Sequence, residues 1–482
     1  MPNTSSGQPA GDAGIGERAV TELKNLMPDV LVIGAGPAGL AAATTCATKG
    51  LDVALVDQGI APGGTIFRPA NNGHKFNRFP VWWSKLRRQF EQSSKPIGYF
   101  SRTQFLGLDG SGAVLVRDNK NERTVTLRPR ALIAAVGAVE RVRPVKGGEL
   151  PGVVTVGSLQ VMLKEGGALP WNRIVLAGSG PLLLAAAIQL SDRGVMPLAV
   201  LERGRPFRPS LDALAMAGFP DYAIEATVYW ATLRRRRIEV LQGWTVAGIR
   251  RDGEDLLIEA VGPEGKAIEY RTEVIGLHDG IRPNDFGLPE ENADLSRPLV
   301  IYAGDCRESL GGRAAVAQGR AAGRRVAEML NQPGDGTPSE TDYHIARHRA
   351  AQGLIGRLYT APNRETLSSL PDSTVLCRCE NVTIGQLRTY LTDGDPSPRE
   401  IKLNCRVGMG GCQGRFCAEW ANQLRAELLG TGSNAHQSIN VNRWPIQPIS
   451  IADFLGESIS PVNSRTCNKY VNGGAKLAQR AE

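Results

Sequence analysis

Five of the chain's eight cysteines lie between Cys377 and Cys417. Cys377 and Cys379 form a C-x-C pair, and after 32 intervening residues Cys412 and Cys417 form a C-x4-C pair. Four such thiolates can hold a tetrahedral zinc ion or a [2Fe–2S] cluster. The tight C-x-C spacing favours the cluster, because zinc modules usually separate each pair by about two to four residues. The glycines in GMGGCQGRFC indicate tight turns that bring backbone N–H groups near the sulfurs.

Composition and charge indicate the surroundings in which these cysteines work. The net charge of +8 is mild for 482 residues, so we expect no nucleic-acid partner. Residues 1–27 are polar, carry acids and lack an apolar segment typical of a secretory signal, which predicts a disordered tail. The absence of an apolar run of about 18 residues predicts no membrane span. We therefore expect a cytoplasmic protein, whose clustered cysteines bind metal rather than forming disulfides.

A G-x-G-x-x-G fingerprint follows the first apolar run, DVLVI, and an Ala-rich helix follows the fingerprint. Its first glycine permits a tight turn, its second lets the backbone approach a pyrophosphate, and its third lets helix and strand pack closely. The start of the helix offers N–H groups to the phosphates, and an acid about 20 residues later can accept a hydrogen bond from a ribose hydroxyl. The predicted dinucleotide site comprises Gly34, Gly36, Pro37, Ala38, Gly39 and Asp57.

A second, less complete fingerprint lies in residues 173–204. Gly178 and Gly180 follow an apolar strand, Leu183 stands where the third glycine would be, and Glu202 stands where the ribose-binding acid belongs. The pattern predicts a second Rossmann unit that holds NAD or another nucleotide, or is empty. Glu202 disfavours a 2′-phosphate and so favours NAD over NADP, although two nearby arginines weaken that preference.

Three further segments indicate which dinucleotide the first site takes. They read APGGTIFR (61–68), RALIAAVGAVERVRP (130–144) and RPLVIYAGDC (297–306). In this order they resemble the two-dinucleotide flavoproteins related to glutathione reductase, which implies FAD at the first fingerprint. The resemblance implies that Asp305 bonds the ribityl chain; a helix cap is the alternative role. The other residues implied at this site are Gly64, Thr65, Gly137 and Gly304.

The remaining cysteines and histidines do not form a redox or catalytic pattern. Disulfide reductases of this superfamily keep a close cysteine pair beside the flavin, and the segment directly after the first acid, Asp57, contains no cysteine here. Cys46 and Cys306 are predicted to be packing residues, and His74 and His278 to be structural histidines. No catalytic residue is assigned.

The whole chain resembles the FAD-carrying alpha subunit of heteromeric opine oxidases. Hydroxyproline and dye-linked proline dehydrogenases and hydrogen cyanide synthase are related. The resemblance covers about residues 28–455, and its most specific motifs are GAGPAG, GGTIFRP, VGAVERVRPVKGGELPGVVTVGSLQ, GSGPLLLAAAIQL and the cysteine segment. That segment itself resembles bacterioferritin-associated ferredoxin, which implies a [2Fe–2S] cluster on Cys377, Cys379, Cys412 and Cys417. Relatives usually carry threonine at Cys405, so we leave Cys405 out, and Cys467 is a predicted bystander.

The family resemblance implies a partner. In that family a second FAD-containing subunit, similar to glycine or D-amino acid oxidases, oxidises the amino acid. The expected function is to pass electrons from the C–N bond of an opine, such as octopine or nopaline, to a quinone or another carrier. Two further components stay open: a small third subunit, and an FMN at an interface in the complex. The alternatives are a stand-alone NAD(P)H-dependent reductase and an electron-transfer scaffold with little turnover.

These features predict an α/β, glutathione-reductase-like flavoprotein with two dinucleotide-binding domains and a C-terminal ferredoxin-like [2Fe–2S] domain. The predicted segments are a disordered tail (1–27), the first part of the FAD domain (28–150), an inserted second Rossmann domain (151–272), the return of the FAD domain (273–335), a linker and helix (336–371), the cluster domain (372–430) and a C-terminal tail (431–482).

Overall fold

The computed structural model describes residues 26–68, 80–292, 298–331, 340–361, 366–392, 394, 396–430, 439, 445–447 and 449–451. Nearly all of the predicted N-terminal tail, most of the C-terminal tail, His74 and Cys467 lie outside this set. None of the helices in the described ranges is both long and apolar enough to cross a membrane.

Twenty strands and eleven α-helices make up the described chain. The strands are β1 (Val30–Ile33), β2 (Val53–Val56), β3 (Gly98–Phe100), β4 (Thr103–Leu108), β5 (Val114–Asp118), β6 (Arg123–Leu127), β7 (Ala131–Ala134), β8 (Ala138–Glu140), β9 (Val153–Thr155), β10 (Ile174–Gly178), β11 (Ala199–Glu202), β12 (Val240–Gln242), β13 (Thr245–Asp252), β14 (Asp255–Val261), β15 (Ala267–Thr272), β16 (Val274–His278), β17 (Ile281–Pro283), β18 (Leu299–Tyr302), β19 (Val375–Cys377) and β20 (Val382–Thr383). The helices are α1 (Pro37–Thr48), α2 (Val81–Glu91), α3 (Val156–Gly166), α4 (Pro181–Asp192), α5 (Leu211–Ala215), α6 (Pro220–Arg235), α7 (Gly312–Asn331), α8 (Glu340–Leu358), α9 (Ile384–Thr392), α10 (Pro398–Cys405) and α11 (Ala418–Leu429).

The first domain is built on a parallel sheet with the strand order β18-β7-β1-β2-β3. Its central strands are short apolar runs buried on both faces, as expected for a parallel sheet covered on each side. Helices α1 and α7 contribute to the core on one face, and the antiparallel sheet β4-β5-β6 contributes to the core on the other. Because all five strands are parallel, their carboxyl ends lie at one edge of the sheet, where the following loops meet.

The second domain repeats this architecture with the strand order β12-β11-β10-β16-β9, again parallel. Helices α3, α4 and α6 supply residues to the core on one face, and the antiparallel sheet β13-β14-β15 supplies them on the other. The predicted boundary at 272 is wrong by one strand, because β16 pairs with β10 and β9 in this sheet. The return to the first domain begins at β17, which pairs with β8. An apolar run such as VIGLH carries no local sign of which sheet it joins.

The C-terminal domain is a small unit with its own core. The hairpin of β19 and β20 precedes α9, α10 and α11, and their apolar residues form one buried cluster. Helix α10 begins with a capping box formed by Ser397 and Glu400, which explains why the helix starts there.

Candidate cofactor sites

The first fingerprint joins α1 closely to the edge of the first sheet. Gly34 has φ +99°, and a Cβ there would lie 2.4 Å from the carbonyl oxygen of Ala135. A Cβ on Gly39 would lie 1.8 Å from the carbonyl oxygen of Gly34, so only glycine fits. Gly36 is the N-cap of α1 and Pro37 is its first residue, as predicted. The positive end of the helix dipole therefore lies at this edge, where a pyrophosphate would bind.

The other glycines predicted for this site converge on the same point. A Cβ on Gly64 would lie 3.1 Å from the Cα of Gly36, and a Cβ on Gly304 would lie 2.5 Å from the Cβ of Ala38. Gly137 follows β7 at the same edge with φ +75°. These close approaches form a cradle of bare backbone that fits an extended dinucleotide.

The two acids predicted at the FAD site both bind backbone. Asp57 accepts from the N–H groups of Ala35 at 2.5 Å and Gly59 at 2.6 Å. Each carboxylate oxygen has a further lone pair, so Asp57 keeps capacity for a ribose hydroxyl.

Asp305 binds the turn that leads into α7. Its Oδ1 accepts from the N–H groups of Leu310 and Gly311, both at 3.1 Å. Burial raises the pKa of Asp305, and the two N–H groups oppose that shift. Both N–H groups precede α7, so Asp305 stabilises the turn before the helix, and its contact with the ribityl chain stays a prediction.

Lys164, on α3, was missed by sequence reasoning. Its Nζ donates to the carbonyl oxygens of Thr65 at 2.9 Å and Ile66 at 3.2 Å, which ties the second domain to the loop beside the FAD fingerprint. Burial, and then the charge of Arg68, lower the pKa of Lys164 to about 8. Its spacing in the sequence could have indicated that Lys164 is buried, because Lys164 lies eight residues after Val156 and therefore on the buried face of α3.

The second fingerprint has the expected backbone, but Glu202 does not face a ligand. Gly178 has φ +135° and Gly180, at φ +132°, is the N-cap of α4. The side chain of Glu202 is buried, and its oxygens accept from the N–H groups of Gly180 at 3.0 Å and Gly204 at 2.7 Å. Burial raises the pKa of Glu202 to about 7. The longer Glu side chain reaches the second glycine of the loop, whereas Asp57 reaches only the residue before its second glycine.

The four predicted ligand cysteines meet as two pairs. Cys377 lies beside Cys417 and Cys379 lies beside Cys412, close enough that each thiol shifts the pKa of its neighbour, and charge interactions link the two pairs. In the ranges that the structure describes, no three His, Cys, Asp or Glu side chains are arranged to hold one metal ion. A pairwise arrangement suits a [2Fe–2S] cluster better than a single ion, because each of its two irons takes two protein ligands.

Backbone around these sulfurs also fits a cluster. The hydrogen bond with Cys417, and then the N–H groups of Gly408, Glu380 and Cys379, lower the pKa of Cys377 to about 6. The same bond raises the pKa of Cys417. At Cys377 these donors favour a thiolate, the form that binds iron.

Gly410 and the fifth cysteine, Cys405, are also placed as this ligand set requires. A Cβ on Gly410 would lie 2.2 Å from the Cβ of Cys379, so the loop passes close to the sulfurs only with glycine. Cys405 packs against the domain's hydrophobic core, consistent with its exclusion from the ligand set.

Arginines attach the cysteine domain to the first domain. Arg282, on β17, donates to the carbonyl oxygen of Arg415 at 2.7 Å and lies 3.5 Å from Glu419. Arg141 forms an ion pair with the same Glu419 at 2.5 Å. Because β17 pairs with β8, which starts directly after Gly137, the cysteine loop is joined to the edge that carries the FAD cradle.

The remaining predicted packing residues are buried. Cys46 and Cys306 are free thiols in the core, and Cys306 donates to the carbonyl oxygen of Ala134 at 3.1 Å. The Nδ1 of His278 lies 2.7 Å from Glu140, which also accepts from the N–H of Gly157 at the start of α3. His278 is thus a structural residue, as predicted.

Known proteins of similar sequence and structure show the family to which the chain belongs. A family model described as pyridine nucleotide-disulphide oxidoreductase matches residues 28–299. The chain is 31% identical to the A subunit of opine oxidase from Agrobacterium tumefaciens (strain Ach5) over 466 residues, or 88% of this chain and 91% of the relative. It is 30% identical to the HcnB subunit of hydrogen cyanide synthase from Pseudomonas aeruginosa over 470 residues, or 89% and 98% of the two chains.

The fold is also similar to a solved structure, that of L-proline dehydrogenase from P. horikoshii, with a TM-score of 0.60 at 15% identity over 89% of this chain and 79% of that one. Two Rossmann units and a glycine cradle at the first define a flavin-dependent oxidoreductase. The chain belongs to the pyridine nucleotide-disulphide oxidoreductase family and, within it, to the group of opine oxidase A subunits. Membership implies FAD, which the first cradle fits.

Proposed function

We propose that the chain is the FAD- and [2Fe–2S]-carrying subunit of a heteromeric dehydrogenase that oxidises the C–N bond of an opine or a related secondary amino acid. The observation that carries this proposal is the pairing of four thiols in a domain attached to the edge of the FAD cradle. Similarity to an opine oxidase A subunit over 88% of the chain supports the substrate class.

Three titratable groups at the FAD cradle are already bound to backbone. Asp57, Lys164 and Asp305 each make two hydrogen bonds to main-chain groups. None of these three is therefore placed as a free base or as a clamp for a substrate carboxylate. This supports amino-acid oxidation on a second FAD-containing subunit, similar to glycine or D-amino acid oxidases, in a hetero-oligomer.

The residues of this chain bind and position the cofactors. The start of α1 and Asp57 would hold the pyrophosphate and ribose of FAD, and Cys377, Cys379, Cys412 and Cys417 would hold the cluster. When bound, FAD supplies two-electron chemistry and the cluster supplies one-electron transfer. Arg282 and Glu419 keep the two sites at a fixed separation. Electrons leave to a quinone or another carrier, and the imine product of an opine hydrolyses to an amino acid and a 2-keto acid.

Co-expression with and without the neighbouring flavoprotein subunit tests this proposal. We expect opine-dependent reduction of an artificial electron acceptor only when both subunits are present, and about two irons and two sulfides per chain. Opine oxidation at full rate by this chain alone would contradict it. A small third subunit and an FMN at a subunit interface both stay predictions. Mass spectrometry of the purified complex tests for the subunit, and mass spectrometry of the extracted flavins tests for FMN.

A further inference from the structure

We infer that the second Rossmann unit does not bind a dinucleotide, because the chain's own residues at the end of α8 occupy its phosphate-binding loop. Ser179, the middle residue of the Gly178-Ser179-Gly180 turn, donates through its hydroxyl to the carbonyl oxygen of Tyr359 at 2.6 Å. Gly204 lies against the same backbone: a Cβ on Gly204 would be 2.7–2.8 Å from the O, C and Cα atoms of Tyr359. A main-chain segment therefore lies across the loops after β10 and β11.

Both N–H groups in the turn that a pyrophosphate would meet first, those of Ser179 and Gly180, are bonded within the chain. The N–H of Ser179 donates to the carbonyl oxygen of His278 at 2.7 Å, and the N–H of Gly180 donates to Glu202 at 3.0 Å. Pro181 has no N–H, and the N–H of Leu183 donates to the carbonyl oxygen of Gly180 at 3.1 Å. Binding a phosphate here would break bonds that the folded protein already makes.

The buried side chains around the loop oppose an anion as well. The carboxyl group of Glu202 lies at the start of α4, where a phosphate would otherwise lie. Burial raises the pKa of the Tyr359 phenol, and the charges of Glu202 and Tyr229 add to that shift, so both groups are close to the ring. In the first unit, by contrast, Asp57 bonds the N–H of Ala35 and leaves that of Gly36 without a partner among the described residues.

Ion pairs and a hydrogen bond fix α8 to the second domain, and this holds the adjoining Tyr359 against the loop. Arg357 pairs with Asp212 on α5 at 2.9 Å, and Arg347 pairs with Asp221 on α6. The hydroxyl of Tyr222 lies 2.7 Å from the Nδ1 of His348. These contacts connect α8 to α5 and α6 of the second domain itself. The second unit therefore packs against α8 and stabilises it. Because no dinucleotide binds there, we expect that NADH does not donate electrons to this chain.

Nucleotide binding to the purified complex, with its FAD content verified, tests the inference independently of opine turnover. Equilibrium dialysis with NAD, NADH and ADP is expected to show no stoichiometric binding and no reduction of the flavin by NADH. One nucleotide bound per chain would overturn the inference. That result would leave the opine reaction untouched, because it concerns a different site.

A matched pair of glycine substitutions tests the position of Tyr359 directly. Gly204→Ala places a methyl group against the Tyr359 backbone, whereas Gly166→Ala, at the end of α3, meets no atom within 4 Å. We expect amide hydrogen exchange in residues 355–361 to become about tenfold faster in Gly204→Ala and to be unchanged in Gly166→Ala. Equal exchange in both variants would show that the segment does not lie on this loop.

Discussion

Asp57 directly follows the second strand of the first Rossmann unit, and Glu202 is the last residue of the corresponding strand in the second. Their side chains differ by one methylene group. Asp57 is partly exposed and bonds the N–H of Ala35, which leaves the second glycine of its loop accessible. Glu202 is buried and bonds the N–H of Gly180, which closes the corresponding position. The same type of side chain thus leaves the second glycine of the loop accessible in one unit and bonds its N–H group in the other.

The protonation of Glu202 predicts a pH effect on stability. Its pKa rises from 4.5 to about 7 on folding because of burial, so its stabilising contribution is complete below pH 4.5 and is lost as pH rises through about 7. We expect the wild type to lose stability relative to Glu202→Gln by up to about 1.4 kcal/mol per pH unit between roughly pH 5 and 7. Chemical denaturation at several pH values measures this, and a difference that does not vary with pH would contradict it.

Substitution of single cysteines tests the ligand set. We expect Cys379→Ser and Cys412→Ser to lose most of the bound iron and sulfide, because each removes one thiol of a pair. Cys405→Ser is the matched control and is expected to keep both, since Cys405 packs in the core outside the pairs. Iron and sulfide analysis and the visible spectrum measure the change. Equal loss in Cys405→Ser would place the cluster elsewhere.

At the scale of elements, glycine sets how closely α1 approaches its sheet. The 1.8 Å between a Cβ at Gly39 and the oxygen of Gly34 means that any larger residue separates α1 from β1. Helix α7 packs on α1 in the same way, because a Cβ on Gly319 would lie 2.1 Å from the carbonyl oxygen of Ala38. The cradle therefore depends on packing between elements as well as on the loop itself.

We expect Gly39→Ala to lower the FAD bound per chain at least about tenfold, because displacing the helix N-terminus removes the N–H groups that hold the pyrophosphate. Gly356→Ala on α8 is the control, since a Cβ there meets nothing within 4 Å. The flavin absorbance per chain after gel filtration measures the difference. Full FAD content in Gly39→Ala would show that this close approach is dispensable.

At the scale of the whole molecule, Arg282 and Arg141 attach the cysteine domain, where we propose the cluster, to the domain with the FAD cradle. We expect Arg282→Met to retain FAD and iron but to slow electron transfer from flavin to cluster, because it removes the bond to Arg415 and the interaction with Glu419. Stopped-flow absorbance follows both chromophores after rapid reduction. Arg250→Met, on the exposed face of β13, is the charge-matched control. Equal rates in the two variants would exclude a role for this contact.

The sequence predicted local elements well and long-range relations poorly. Apolar runs and glycine spacing located β1, α1 and the first cradle, because those features depend on neighbours in the chain. The membership of β16 in the second sheet depends on pairing with β10, about 100 residues away, for which the run VIGLH carries no sign. Lys164 and Tyr359 were missed for the same reason: their partners, Thr65 and Ser179, are distant in sequence.

The most direct test of the central claim is the anaerobic visible spectrum of the two-subunit complex after addition of either an opine panel or NADH. We predict that an opine bleaches the flavin and cluster absorbance, while NADH leaves both unchanged. Rapid bleaching by NADH without an opine would contradict it and would make this chain an NADH-dependent reductase.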